Sequence, residues 1–212
     1  MYTHVPAGEI EKLSLEIIDN EVSEKPFEGE EWTVARRMVH TSADFELLQH
    51  IRFHPLAIVA GKEAVRQGCS IVTDTEMARV GIPMRRLEPL GCTVRCFMND
   101  PAVLKLAKTE HVTRAWAAVD VAMATGGADI FVIGNAPTAL FRLLEWIGQG
   151  ARPPKLIVGM PVGFVNAAEA KDLLLAQNKI PYVSIQGRKG GSALAACVIN
   201  ALAKMVHEEM RG

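Results

Sequence analysis

The stretch from Ile130 to Ile147 restricts the folds open to this chain more than any other. Four apolar, β-prone residues, Ile130-Phe131-Val132-Ile133, run into Gly134-Asn135-Ala136-Pro137, after which apolar residues recur at helical spacing through Leu140, Leu143, Leu144 and Ile147. The pattern predicts a strand, a tight turn and a helix. Gly134 lets the backbone turn sharply, and Pro137, with its fixed φ and no N–H, suits a first helical turn. The free N–H groups of such a helix, facing the loop after a parallel strand, can hold a carboxylate or a phosphate.

The same unit recurs. Leu156-Ile157-Val158 runs into Gly159-Met160-Pro161-Val162-Gly163-Phe164 and a helix over 166–178; Tyr182 to Ile185 runs into Gly187-Arg188-Lys189-Gly190-Gly191-Ser192 and an apolar helix to about Glu208. Upstream, strands over 70–73 and 93–97 end at Thr73-Asp74-Thr75 and Met98-Asn99-Asp100. Five short strands alternating with helices predict an α/β protein whose mainly parallel sheet is covered on both faces and linked by right-handed crossovers. The expected order is flavodoxin-like within three α/β/α layers, with a ligand crevice between the loops at 73–76 and 134–138. A single domain accommodates all 212 residues. Residues 1–65 are expected to form a helical layer and 66–212 the doubly wound core.

Composition removes several function classes. The formal net charge is −1 and 49% of residues are hydrophobic, which argues against disorder and gives no electrostatic case for nucleic acid or an anionic membrane surface. The apolar run from Ala193 to Ala203 contains Asn200 and is shorter than the roughly 20 residues of a membrane-spanning helix. Glu9 and Glu11 interrupt any secretory leader at the amino terminus, so the expected location is cytoplasmic. Cys69, Cys92, Cys96 and Cys197 show no C-x-x-C spacing and are read as reduced structural thiols; no metal site is expected.

Candidate chemistry concentrates near the amino terminus. Residues 9–22 read as a helix with Ile10, Leu13, Ile17 and Ile18 on one face, and Ser14 projects from that face either to bond back to its own helix or to meet a ligand. Glu30 to Val39 is a second helix that delivers Arg37 and His40. Thr41 and Asp44 stand at capping-box spacing before Phe45-Glu46-Leu47-Leu48. His40 is a structural hydrogen-bonding group or a catalyst; Arg37 and the neighbouring hydroxyls favour a polar ligand beside the imidazole. His4, His50, His54, His111 and His207 have no such company. Residues 51–55 read as a break, and Asp74 and Glu76 as caps of the helix after the first strand. The Gly81-Ile82-Pro83-Met84-Arg85-Arg86 turn faces either a ligand or solvent. Thr113 caps a helix over 114–124, which sets Arg114 in a first turn, where a cation is disfavoured unless it meets an anion. No G-x-G-x-x-G, phosphate-binding P-loop or G-x-S-x-G motif is present. What remains is one imidazole among arginines, suited to donating a proton to a large anionic substrate.

Four segments together resemble the precorrin-8X and cobalt-precorrin-8 methylmutase family: Arg37-Met38-Val39-His40, Gly134 to Leu140, Gly159 to Val165 and Gly187 to Ser192. The resemblance covers nearly the whole chain. It implies a flavodoxin-like homodimer, without metal or nicotinamide cofactor, that moves a methyl group from C-11 to C-12 of a tetrapyrrole in cobalamin synthesis. His40 matches the family's catalytic histidine, proton donor to the ring C nitrogen. By the same resemblance Ser14, Arg37, Ile82, Pro83, Met84, Arg85, Arg114, Asn135 and Arg188 bind the substrate, whose acidic rim suits guanidinium forks. Hand-over of product to the next pathway enzyme is the implied partner contact. A non-catalytic corrinoid carrier using the same arginines and a flavin or nucleotide protein of similar fold are the competing classes.

Overall fold

The computed structural model describes residues 5–211. The chain runs α1 (Ile10–Glu21), α2 (Gly29–Ser42), α3 (Leu47–His50), β1 (Ile51–Phe53), α4 (Ala57–Arg66), β2 (Ser70–Thr73), α5 (Glu76–Gly81), α6 (Met84–Leu87), β3 (Thr93–Cys96), α7 (Pro101–Thr109), α8 (Arg114–Ala124), β4 (Ile130–Ile133), α9 (Pro137–Gly148), β5 (Leu156–Gly159), α10 (Ala167–Ala176), β6 (Tyr182–Ile185) and α11 (Ser192–Glu209). The strands make one six-stranded sheet in the order β1-β6-β5-β4-β2-β3. Strands β2 to β6 are parallel, and β1 joins the edge antiparallel to β6, pairing Ile51 with Ile185 and Phe53 with Val183.

That sixth strand corrects the expectation of a break over 51–55 and of a purely helical amino-terminal layer. His54 N donates to Tyr182 O at 2.9 Å and Gln186 N to His50 O at 2.8 Å, so backbone bonds flank both ends of β1.

The buried strands alternate between two apolar layers, as the two-residue period of a strand requires. Ile130 and Val132 join a cluster containing Met38, Val39, Ala64, Val65, Leu194, Val198 and Leu202, from α2, α4 and α11. Phe131 and Ile133 join the opposite cluster with Val103, Val119, Leu140, Leu143 and Leu174, from α7, α8, α9 and α10. Three helix starts are capped by side chains: Thr75, Asp100 and Thr113 each accept a bond from a first-turn N–H, of Ala78, Ala102 and Trp116, the last as the sequence predicts. The capping box read at Thr41 is corrected, because α2 continues through Ser42 and the Thr41 hydroxyl bonds back to Arg37 O at 2.8 Å. Asp44 does the local work instead, accepting from Glu46 N at 2.9 Å.

Beyond the carboxyl ends of the strands the loops interlock. A Cβ on Gly190 would lie 2.1 Å from Met160 O, and one on Gly134 2.7 Å from the Ser192 Cα, so neither position has room for a side chain. Gly191 N donates to Met160 O at 3.0 Å. Lys171 of α10, with no exposed surface, donates from Nζ to Lys189 O at 2.7 Å, and burial pulls its pKa down to about 8. On the outer side of the same loop, Lys189 Nζ lies 2.5 Å from Asp44 Oδ2 and 2.7 Å from Glu46 Oε2.

Candidate active site

His40 sits in the last turn of α2 and lines a hollow of about 330 Å³ with Ser14, Ile17, Ile18 and Glu21 of α1, and Val39, Ala43 and Phe45. Ala43, which ends α2 in the left-handed conformation at φ 53°, turns the chain so that Phe45 reaches the same hollow. The Ser14 hydroxyl bonds back to its own helix, donating to Ile10 O at 2.7 Å, and the residue lines the hollow.

A second hollow, about 670 Å³, is lined by Glu11, Arg37, the segment from Arg79 to Arg86 and Asn200. Arg37 lies three residues before His40 on α2, and Glu11 three before Ser14 on α1, so the two hollows sit side by side along the seam of these helices. Asn200 Nδ2 donates to Gly81 O at 3.0 Å and thereby holds the end of α5 against α11. Arg37 Nη2 lies 2.5 Å from Glu11 Oε1, and that contact is the main reason Glu11's pKa falls to about 2. Nonpolar side chains interleave with these charges at the surface: Ile10, Leu13, Ile17, Met77, Val80 and Met84 are all exposed. An apolar, flat body with an acidic edge fits this mixture of surface types.

The crevice expected between the loops after β2 and β4 is filled from within. Asp74, 5% exposed, accepts from Gly134 N at 3.1 Å and from Asn135 N and Ala136 N at 2.7 Å each. Burial pushes its pKa up against the pull of these three amides. The N–H groups of the turn before α9, including that of its N-cap Ala136, therefore hold an internal carboxylate. Asp74 does not cap α5, which corrects that expectation; Thr75 does, with Glu76 paired to Arg79 at 2.5 Å. His40 faces α1 rather than this crevice.

The remaining expected binding residues lie elsewhere. Arg114, Asn135 and Arg188 are exposed and line neither hollow. Arg114 opens α8 behind Thr113, whose hydroxyl meets that of Thr138 at 2.8 Å, and Arg188 stacks 5.5 Å over the ring of Phe164, itself 84% exposed. Sequence reasoning missed Glu11, Ile17 and Phe45 as site residues; the signal available was their spacing of three from Ser14 and their place beside the helix end after His40. A further hollow, about 760 Å³, lies between the carboxyl ends of α9 and α10, is walled largely by Phe141, Leu144, Ile147, Leu173 and Ile180, and contains none of the candidate residues. Among the described residues no cluster of three or more His, Cys, Asp or Glu side chains is arranged to hold a metal, and no helix is long and apolar enough to cross a membrane. His4 lies outside the described residues.

A model of the precorrin-8X methylmutase (CbiC) family matches residues 9–205. The chain belongs to that family. It is accordingly a methylmutase, an isomerase of cobalamin biosynthesis. It is 40% identical to the cobalt-precorrin-8 methylmutase of Priestia megaterium over 93% of this chain and 88% of that one. Against the precorrin-8X methylmutase of Pseudomonas aeruginosa the identity is 42% over 80% and 82%. A crystal structure of precorrin-8X methylmutase from Thermus thermophilus superposes with a TM-score of 0.88 at 40% identity, covering 96% of this chain and 98% of that one. The carrier reading gives way to the methylmutase family, and the flavin or nucleotide reading goes with it.

Proposed function

We propose that this methylmutase isomerises precorrin-8X or cobalt-precorrin-8, moving the methyl group on C-11 of ring C to C-12 by a [1,5]-sigmatropic shift to give hydrogenobyrinate or cobyrinate. His40 donates a proton to the ring C nitrogen, which draws electron density away from the conjugated system and raises electron demand at the migration terminus. The observation that carries this reading is the placing of His40 in a hollow with apolar walls, Ile17, Ile18, Val39 and Phe45, with Arg37 one helical turn away. The walls suit a macrocycle, and the arginine suits a peripheral carboxylate.

In this reading Ser14, Arg37 and the segment Ile82-Pro83-Met84-Arg85 make the nearer contacts with substrate, and Arg114, Asn135 and Arg188 the outlying ones. The five parallel strands run β3-β2-β4-β5-β6, which supports a flavodoxin-like core with β1 added at its edge. The enzyme works as a cytoplasmic homodimer without cofactor and passes its product to the next enzyme of the pathway.

Replacing His40 by Ala tests the assignment. General acid assistance contributes about 10²–10⁴ in rate, so turnover should fall by that factor while the protein still shifts the absorbance of the bound tetrapyrrole and the fold stays intact. Turnover at the wild-type rate would remove His40 from the chemistry. Product analysis by mass spectrometry and NMR on metal-free and cobalt-containing substrates separates the two substrate forms.

A further inference from the structure

Past Arg86 the surface opens into a fourth hollow, about 300 Å³, at the carboxyl end of α11. Its lining is Arg85, Arg86, Lys204, His207, Glu208 and Arg211, which is five basic side chains against one acid. In a chain whose overall formal charge is −1, this is a local concentration of positive charge. Among the described residues Arg85, Arg86 and Arg211 have no carboxylate within ion-pair distance, and Lys204 shares Glu11 and Glu208 at 3.2 and 3.9 Å. Unpaired guanidiniums gathered around one depression repel one another, and an anion bound among them lowers that repulsion. His207 is already oriented: its Nε2 lies 2.6 Å from Arg86 O, a carbonyl that can only accept, so Nε2 carries the hydrogen and the ring is fixed beside the Arg86 backbone.

The hollow is continuous with the site described above. Arg85 and Arg86 line both it and the neighbouring hollow that contains Arg37, so the two depressions share a basic wall. The geometry points to a second anion subsite, formed by Arg86, His207 and Arg211, that takes carboxylates on the edge of the tetrapyrrole farthest from His40. This rests on the proposed substrate. Arg86, His207 and Arg211 thereby set which orientation of the ring brings the reacting edge to the imidazole, since a macrocycle with acids on every side needs more than one clamp to choose among rotations. They are specificity-determining residues and take no part in proton transfer.

The test uses the full chain and its Arg86→Gln/Arg211→Gln double variant, with His207 imidazole signals followed by NMR. Two charge-assisted contacts at a partly exposed site predict a fall in kcat/KM of about tenfold carried by KM, shrinking as salt is raised. Hydrogenobyrinate should shift the His207 signals in the wild type and not in the double variant. If the wild type turns over substrate but the double variant has the same KM, or product leaves His207 unmoved, the subsite is refuted and the proposed reaction stands. If inorganic phosphate shifts His207 and product does not, the hollow is a small-anion site, which also refutes the proposal. If the wild type turns over no substrate, the proposed function fails first.

Discussion

Replacing Asp74 by Ala would remove the acceptor for three backbone N–H groups at once. Gly134 N, Asn135 N and Ala136 N all point at its carboxylate, and Gly134 N and Ala136 N are buried, so water does not freely take its place. An orphaned buried amide costs about 1–3 kcal/mol, which sums to between about 2 and 6 kcal/mol for the two buried ones. Part of that is offset because the variant no longer buries a carboxylate, while the third, partly exposed amide adds a smaller loss, so a net cost of about 3–5 kcal/mol is expected. For a chain of this length 1 kcal/mol moves Tm by about 2–4 °C, so Asp74→Ala should melt about 6–20 °C lower than wild type. Asp74→Asn keeps the volume and one acceptor oxygen but turns an NH₂ toward an N–H, and it should fall between the two. Urea unfolding followed by circular dichroism measures both, with the slope m checking that the unfolded state is unchanged. An Asp74→Ala variant within about 0.5 kcal/mol of wild type would refute the account, since that is the range of a surface substitution with no structural role.

Other outcomes follow from single contacts. Arg37 holds Glu11's pKa at about 2 in the folded protein against an ordinary 4.5, so the pair's contribution is fully present above pH 4.5 and disappears as pH falls through about 2. Acid-unfolding curves of wild type and Glu11→Gln should therefore differ above pH 4.5 and converge near pH 2; a gap unchanged at pH 2 would refute the pairing. Gly190→Ala would press a Cβ to 2.1 Å from Met160 O and break the Gly191 N to Met160 O bond, so a loss of more than about 3 kcal/mol in urea unfolding is expected. A fully stable Gly190→Ala protein would show that the loops do not interlock as described.

The parallel strands and their helices were legible because each carries its own local signal. Ile130 to Ile133 is β-prone throughout, Pro137 and Thr113 sit where a helix must start, and the alternation of strand with helix leaves few topologies. Strand β1 was not legible. Three residues with a central Arg52 are too short to display a period, and what makes them a strand is the edge of β6, more than 120 residues downstream. Asp74 was misread for a related reason: its position before α5 satisfies the local capping rule, but Thr75 takes that role and the carboxylate bonds an element 60 residues away. Within the site, His40 and Arg37 could be paired from helical spacing, whereas the meeting of Ser14 with His40 depends on the packing of α1 against α2. The separation of Arg114, Asn135 and Arg188 from both hollows has no trace in the sequence.

Lys189 is engaged at both ends, its carbonyl by Lys171 and its ammonium by Asp44 and Glu46. Since Asp44 follows α2 by two residues, this single side chain buckles the helix carrying His40 to the rim of the sheet, while its own backbone is fastened inward to α10. The wall of the hollow that bears the imidazole is thus tied to two separate layers of the fold, while the wall facing it, α1, leaves Ile10, Leu13 and Ile17 at the surface.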